Sequence, residues 1–97
     1  MNKLRIRNGV VLLEICGAYL LVSDRQAGKH CMYVMEINDA AAVIFRCIEE
    51  NMTVKETADL IMEEYDVSDR KAVETDIMTC IGQLKEYGYL TEEEDDL

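Results

Sequence analysis

With 97 residues, 49% of them apolar, and no low-complexity tract, the chain is long enough for one domain that buries a modest core without a metal or disulfide staple. Its longest apolar runs, Val10 to Leu13 and Tyr19 to Val22, are far too short to cross a bilayer, and the N-terminus MNKLRIRNG lacks the apolar stretch of a secretory signal, so no membrane role and a cytoplasmic location are expected. The net charge of -10 is uneven: residues 1–38 carry five basic and three acidic side chains and residues 39–97 five basic and seventeen acidic, a field that repels nucleic-acid phosphates and either favours a basic partner or simply keeps the chain soluble.

In chain order, LRIR at Leu4 to Arg7 fits either a short strand or an extended lead-in. Gly9 then marks the entry to VVLLEIC (Val10 to Cys16), which pairs with AYLLVS (Ala18 to Ser23) across a tight turn at Gly17. The polar stretch DRQAGK, Asp24 to Lys29, reads as a loop in which Gly28 supplies a positive φ. It leads to YVMEIND, Tyr33 to Asp39, the most informative segment of the chain. Tyr33, Met35 and Ile37 alternate with Val34 and Glu36, the pattern of a strand with one buried face, and Asn38 or Asp39 caps the helix that follows at once. A three-stranded antiparallel meander is the simplest topology.

Beyond Asp39 the period becomes helical. Ala41, Ile44, Phe45 and Ile48 form one apolar face, and Asn51 ends that helix. Thr53 and Glu56 in TVKE make a capping box for a second helix, whose inner stripe is Val54, Ala58, Ile61 and Tyr65. Ser68 or Asp69 caps a third and longest helix with inner positions Val73, Ile77, Cys80, Ile81 and Leu84, terminated by Gly88, after which Leu90 folds back onto the last turn. The acidic tail TEEEDDL, Thr91 to Leu97, reads as a frayed, solvated end. The expected class is α+β: a three-stranded antiparallel sheet followed by three helices, in a winged helix-turn-helix arrangement within one domain over residues 1–97.

That shape invites DNA binding, but the third helix sets Arg70, Lys71 and Lys85 against Asp69, Glu74, Asp76 and Glu86, a poor match for a major groove, and LRIR is too small a basic patch to replace it. Cys16, Cys31, Cys47 and Cys80 stand singly among apolar neighbours and read as reduced core thiols; a zinc site or a pair of disulfides is the alternative, disfavoured because no paired ligand spacing occurs. His30 lies in a loop beside Cys31 with no metal or dyad pattern. Neither serine lies in a nucleophile elbow, no glycine-rich phosphate loop is present, and carboxylates lack a histidine partner, so neither catalysis nor a cofactor is expected. Asp76 interrupts the inner stripe of the third helix, which suggests a cap or hydrogen bond to another element.

The succession VLLEICGAYLLVS, YVMEIND with AAAVIFRCI, and TVKETADLIMEEYDVSDRKAVETDIMTCIGQLKEYGYL resembles the PqqD family, named for pyrroloquinoline quinone biosynthesis, over about Leu4 to Leu90. The pieces that carry the resemblance are Ile37-Asn38 before Ala40 to Ala42, EEYDVS at Glu63 to Ser68, Asp76, and the ending LKEYGYL; the loop DRQAGKHCM carries no family signature.

The resemblance implies a RiPP recognition element, a non-catalytic chaperone that binds the leader of a ribosomally made precursor peptide and hands it to a separate enzyme such as a radical SAM protein, a protease or a cyclase. The leader would add as a strand to the edge presented by Tyr33, Val34, Met35, Glu36 and Ile37, and pack into a groove walled by Val73, Asp76, Ile77, Cys80 and Leu84. Core packing explains Val73, Ile77 and Leu84 equally well, and alternation puts Tyr33, Met35 and Ile37 in the core. Met32 and Met35 carry flexible thioethers suited to an adaptable surface or to a core. The other open reading is a small winged-helix regulator or protein-interaction module; the free chain is expected to be a monomer or a homodimer.

Overall fold

The computed structural model describes residues 2–94. Within them run β1 (Asn2–Ile6), β2 (Val10–Ile15), β3 (Ala18–Ser23), β4 (Val34–Ile37), α1 (Asp39–Glu49), α2 (Val54–Tyr65), α3 (Arg70–Glu86) and β5 (Leu90–Glu94). β2, β3 and β4 form an antiparallel meander in the order β2-β3-β4 and the three helices follow, the α+β winged helix-turn-helix expected from the sequence. β2 and β3 turn at Cys16 and Gly17, whose φ values of 51° and 81° match the two-residue turn that agrees with the twist of a hairpin.

Between β3 and β4 the Asp24 carboxylate accepts from the Ala27 amide (2.8 Å) and starts a short 3-10 turn over Ala27–Lys29. Gly28 is needed there for space and not for a positive φ: the Tyr33 ring lies where a Cβ on Gly28 would be. Tyr33 itself precedes β4 and is 58% exposed, so it leaves the buried face that alternation assigns to it. Met35 and Ile37 keep that face and are half-buried.

The chain ends depart most from expectation. LRIR is strand, and the tail is not frayed through Glu94: β1 and β5 pair antiparallel as a separate two-stranded sheet with Ile6 opposite Leu90 and Leu4 opposite Glu92. Residues 95–97 of the expected tail lie outside the described residues. Backbone partnership outweighs side-chain charge here. The Arg7 amide donates to the Tyr89 carbonyl (2.9 Å), Arg7 Nε donates to the Gly88 carbonyl (2.6 Å), and Lys85 pairs with Glu92. Leu90 is 4% exposed, with Leu4 and Ile6 packed against the same core.

Each helix starts on its sequence cap. Asn38 Oδ1 accepts from the Ala41 amide (2.8 Å), and Asp69 Oδ1 from the Ala72 amide (3.1 Å). Thr53 and Glu56 form the capping box, with the Thr53 amide donating to Glu56 (2.9 Å) and the Glu56 amide to Thr53 Oγ1 (3.1 Å). The Thr53 backbone amide, and after it the Thr53 side chain, hold the Glu56 carboxyl below the ordinary glutamate range. Asp66 closes α2 in the left-handed region, φ 52°, and Gly88 does the same after α3 at φ 89°. Tyr65, expected on the inner stripe of α2, is 44% exposed, whereas Thr57 takes an inner place because its hydroxyl donates to the Thr53 carbonyl (2.8 Å).

One core joins Leu21, Phe45, Ile77 and Tyr89, all fully buried, to neighbours from both sheets and all three helices. The Arg46 guanidinium lies 5.6 Å from the centre of the Tyr19 ring and adds a cation–π contact between α1 and β3. All four cysteines are free; Cys47 is buried and Cys31 and Cys80 half-buried, but Cys16 is exposed in the hairpin turn and does not belong to the core.

Two outcomes test this packing. Tyr89→Phe, which deletes the buried phenol's bond to the Met32 carbonyl (3.0 Å), is expected to lower the unfolding free energy by about 1 kcal/mol in urea titration. Stability from the capping box is present above the unfolded glutamate pKa and lost as pH falls through the lower folded value; Glu56→Gln, which keeps the acceptor, should remove that part of the acid dependence in pH-resolved melting.

Candidate functional site: a strand edge beside the third helix

β4 is an edge strand, paired only with β3. The Ser23 amide donates to the Tyr33 carbonyl (2.8 Å), which makes Ser23 and Tyr33 a hydrogen-bonded pair. Alternation along an antiparallel ladder then turns the main-chain groups of Met35 and Ile37 toward β3, and those of Val34 and Glu36 away from it. Of the five residues expected to present the edge, Val34 and Glu36 therefore offer open N–H and C=O groups. Tyr33, Met35 and Ile37 do not, because their backbone already serves the internal ladder.

The entrance of this edge is pinned. The Met32 carbonyl accepts from both Tyr89 Oη (3.0 Å) and Ser23 Oγ (2.9 Å), and Ser23 Oγ also lies 3.1 Å from Cys31 Sγ. The exit is pinned by the Asn38 cap of α1. A four-residue strand is thus held at both ends while its outer side stays open.

Beside β4 lies a groove of about 280 Å³ lined by Met35, Glu36 and Ile37, by Asn38 and Ala41 at the start of α1, and by Cys80, Gln83, Leu84 and Tyr87 of α3. A second hollow of about 260 Å³ sits where α1, α2 and α3 meet, lined by Ala40, Ile44, Ile61, Tyr65, Val67, Ala72, Val73, Asp76 and Ile77. The expected groove wall is therefore divided: Cys80 and Leu84 face β4, whereas Val73, Asp76 and Ile77 line the second hollow, next along α3. Val73, Ile77 and Leu84 are also core, at 6%, 1% and 2% exposure, so one helical stripe serves both purposes.

Asp76 does not do the structural work expected of it. It is exposed at the lip of the apolar hollow and makes no hydrogen bond or ion pair among the described residues. Glu36, the one charged residue lining the first groove, is likewise without a partner among them. Burial raises the pKa of the Cys80 thiol, so at neutral pH it acts as an apolar lining atom and not as a nucleophile. No group of three or more His, Cys, Asp or Glu among the described residues could hold a metal. The arrangement can receive an extended chain and seat its side chains.

Sequence reasoning missed Asn38, Ala41, Gln83 and Tyr87 in the first groove and Ala40, Ile44, Ile61, Tyr65, Val67 and Ala72 in the second hollow. Gln83 and Tyr87 follow Cys80 at i+3 and i+7, so helical spacing from one assigned residue pointed to them. Val67 had no such signal, since it stands in the turn between α2 and α3.

Compared with the curated proteins, the chain has no match. Among solved structures, it resembles one described as "Lasso peptide synthetase B1 complexed with the leader peptide" at 24% identity and a TM-score of 0.75, over 92% of this chain and 98% of that one. A second, "TbiB1 in Complex with the TbiA(beta) Leader Peptide", aligns at 24% identity and a TM-score of 0.74 over 94% of this chain and 99% of that one. These likenesses show a shared fold. The family model described as "Coenzyme PQQ synthesis protein D (PqqD)" matches residues 26–90, a span that holds β4, all three helices and every residue of the strand edge and both hollows, and the chain belongs to that family.

Proposed function

We propose that the chain binds the leader of a ribosomally made precursor peptide as a guest strand on β4 and delivers it to a separate maturation enzyme, without catalysing a step itself. The observation that carries this reading is the pair of open main-chain sites at Val34 and Glu36, directly beside a groove lined by α3. Family membership supports it, as do two solved neighbours of the same fold that are described with leader peptides. Strand addition draws affinity from main-chain hydrogen bonds and selectivity from pockets that take alternate side chains.

Each assigned residue has a distinct duty in this reading. Val34 and Glu36 pair with the guest backbone. Met35, Ile37, Cys80 and Leu84 floor the first groove. Val73 and Ile77 floor the second hollow, and Asp76 at its lip pairs with a basic leader residue, while Tyr33, on Gly28, flanks the start of the edge. The receiving enzyme is of the radical SAM, protease or cyclase kind, and the exchange takes place in the cytoplasm. The described residues include no helix long and apolar enough to cross a membrane.

A DNA-binding winged helix is disfavoured by the charges on α3. Arg70 pairs with Asp59 and Glu74, Lys85 pairs with Glu92, and Arg7 of the LRIR segment donates to the Gly88 carbonyl, which leaves little free positive charge for phosphates.

Proline substitutions test the edge directly. At Glu36 a proline removes only an outward N–H, so the protein should fold while its affinity for the leader of the precursor encoded nearby, read by calorimetry, falls by about tenfold, the equivalent of roughly 1.4 kcal/mol. Met35→Pro instead cuts the β3–β4 ladder and should lower stability itself; equal leader affinity in Glu36→Pro and wild type would sink the proposal. The second hollow has its own test: Ala72→Phe fills it from an exposed position, and is expected to weaken the same leader by at least about fivefold, or roughly 1 kcal/mol, with the melting temperature little changed.

A further inference from the structure

A further hollow, of about 300 Å³, opens where β1, the 3-10 turn after β3 and the start of β5 come together. Arg5 and Arg7 of β1, Asn8 just beyond them, Gln26 and His30 at the two ends of the turn, and Thr91 of β5 line it over the buried Ala27. No carboxylate is among its lining residues. In a chain of net charge -10, a hollow walled by two guanidiniums and an imidazole is an exception.

The donors are held in place. Arg7 Nε donates to the Gly88 carbonyl (2.6 Å), and Arg7 makes no other side-chain hydrogen bond or ion pair among the described residues, so its remaining N–H donors are open. The His30 carbonyl lies so close to Gly88 that a Cβ there would sit 2.1 Å from it. Gly88 follows Tyr87, the last residue of α3's side of the first groove. Three seats therefore stand in order along α3: Asp76 with Val73 and Ile77, then Cys80 to Tyr87, then Gly88 with Arg7 and His30. An unpartnered carboxylate marks one end of this line and a guanidinium the other.

We propose that the basic hollow takes an aspartate or glutamate side chain of the leader, as a third seat that fixes which way the guest strand runs. The inference rests on the leader-binding reading above. Charge selects the occupant: the walls carry positive charge with no carboxylate beside it, and a guanidinium edge receives a carboxylate in two parallel hydrogen bonds. The positive field is too small for a phosphate backbone but sufficient for one carboxylate. With Asp76 drawing a basic residue at the far end, a reversed strand sets like charges together at both ends, the repulsive element that selectivity needs. From Asp76 to Tyr87 a helix rises about 17 Å, which an extended strand spans in about five residues, so the acidic leader residue stands at least about five positions from the basic one.

Calorimetry of the full chain reads this seat with a synthetic peptide of the leader encoded nearby and with peptides in which each Asp or Glu in turn becomes Asn or Gln. One such change is expected to weaken binding about fivefold, less as salt rises, and to leave binding to Arg7→Gln unchanged. His30→Glu, at an exposed position and checked for folding by circular dichroism, should repel the native leader by a similar factor while binding the weakened peptide as the wild type does. A bound leader with no Asp or Glu, equal affinity for every acid-to-amide peptide, or the same loss in Arg7→Gln as in wild type would overturn the third seat and leave leader binding intact; no leader binding at all overturns both. Where Arg7→Gln fails to fold, equal affinity of His30→Glu and wild type for the native leader overturns the seat by itself.

Discussion

The buried hydroxyl of Tyr89 is the contact on which the candidate site depends. It reaches from the turn after α3 to the Met32 carbonyl, two residues before β4, and that carbonyl also accepts from Ser23 at the end of β3. A strand of four residues with one neighbour has little stability of its own. Tying its entrance to the end of α3 fixes the spacing between the strand edge and the helix that walls the groove. The backbone of the same Tyr89 receives the Arg7 amide, so the small β1–β5 sheet is fastened to the same point. Burial raises the phenol's pKa and keeps the donor proton in place at neutral pH.

From that anchor the site follows as a matter of geometry. β3 satisfies every second residue of β4, which leaves Val34 and Glu36 open, and α3 presents Cys80, Gln83, Leu84 and Tyr87 across the gap at helical spacing. The second hollow repeats the arrangement farther along α3, with apolar walls and an unpartnered carboxylate at its lip. Main-chain sites and side-chain hollows together would give the proposed guest strand both a pairing edge and seats for its side chains. Of the cysteines only Cys80 lines the groove, as an apolar wall.

Much of the architecture was legible in the residues because local signals agreed with the final packing. The Thr53 and Glu56 capping box, the Asn38 and Asp69 caps, the Gly17 turn and the Val73, Ile77, Ile81 and Leu84 stripe all stand where their patterns put them. The misses share a cause: each depended on packing between elements that the local residue pattern does not encode. TEEE is strand because β1 lies alongside it, which no local propensity of a charged run reveals. Tyr33 leaves the alternating face because Gly28 offers its ring a seat, and Asp76 faces a hollow because α2 stops short of it at Asp66. Likewise the division of the groove wall into two hollows follows from where α1 begins, with Ala40 lining one and Ala41 the other.

The central claim, that β4 receives a guest strand through Val34 and Glu36, is tested most directly by residue-resolved amide hydrogen exchange with and without the leader. In the free protein the Met35 and Ile37 amides should exchange slowly and those of Val34 and Glu36 fast, since β3 serves only the first pair. Saturating leader should slow Val34 and Glu36 while leaving the others nearly unchanged. Leader binding that protects amides elsewhere and leaves both of these fast would contradict the account.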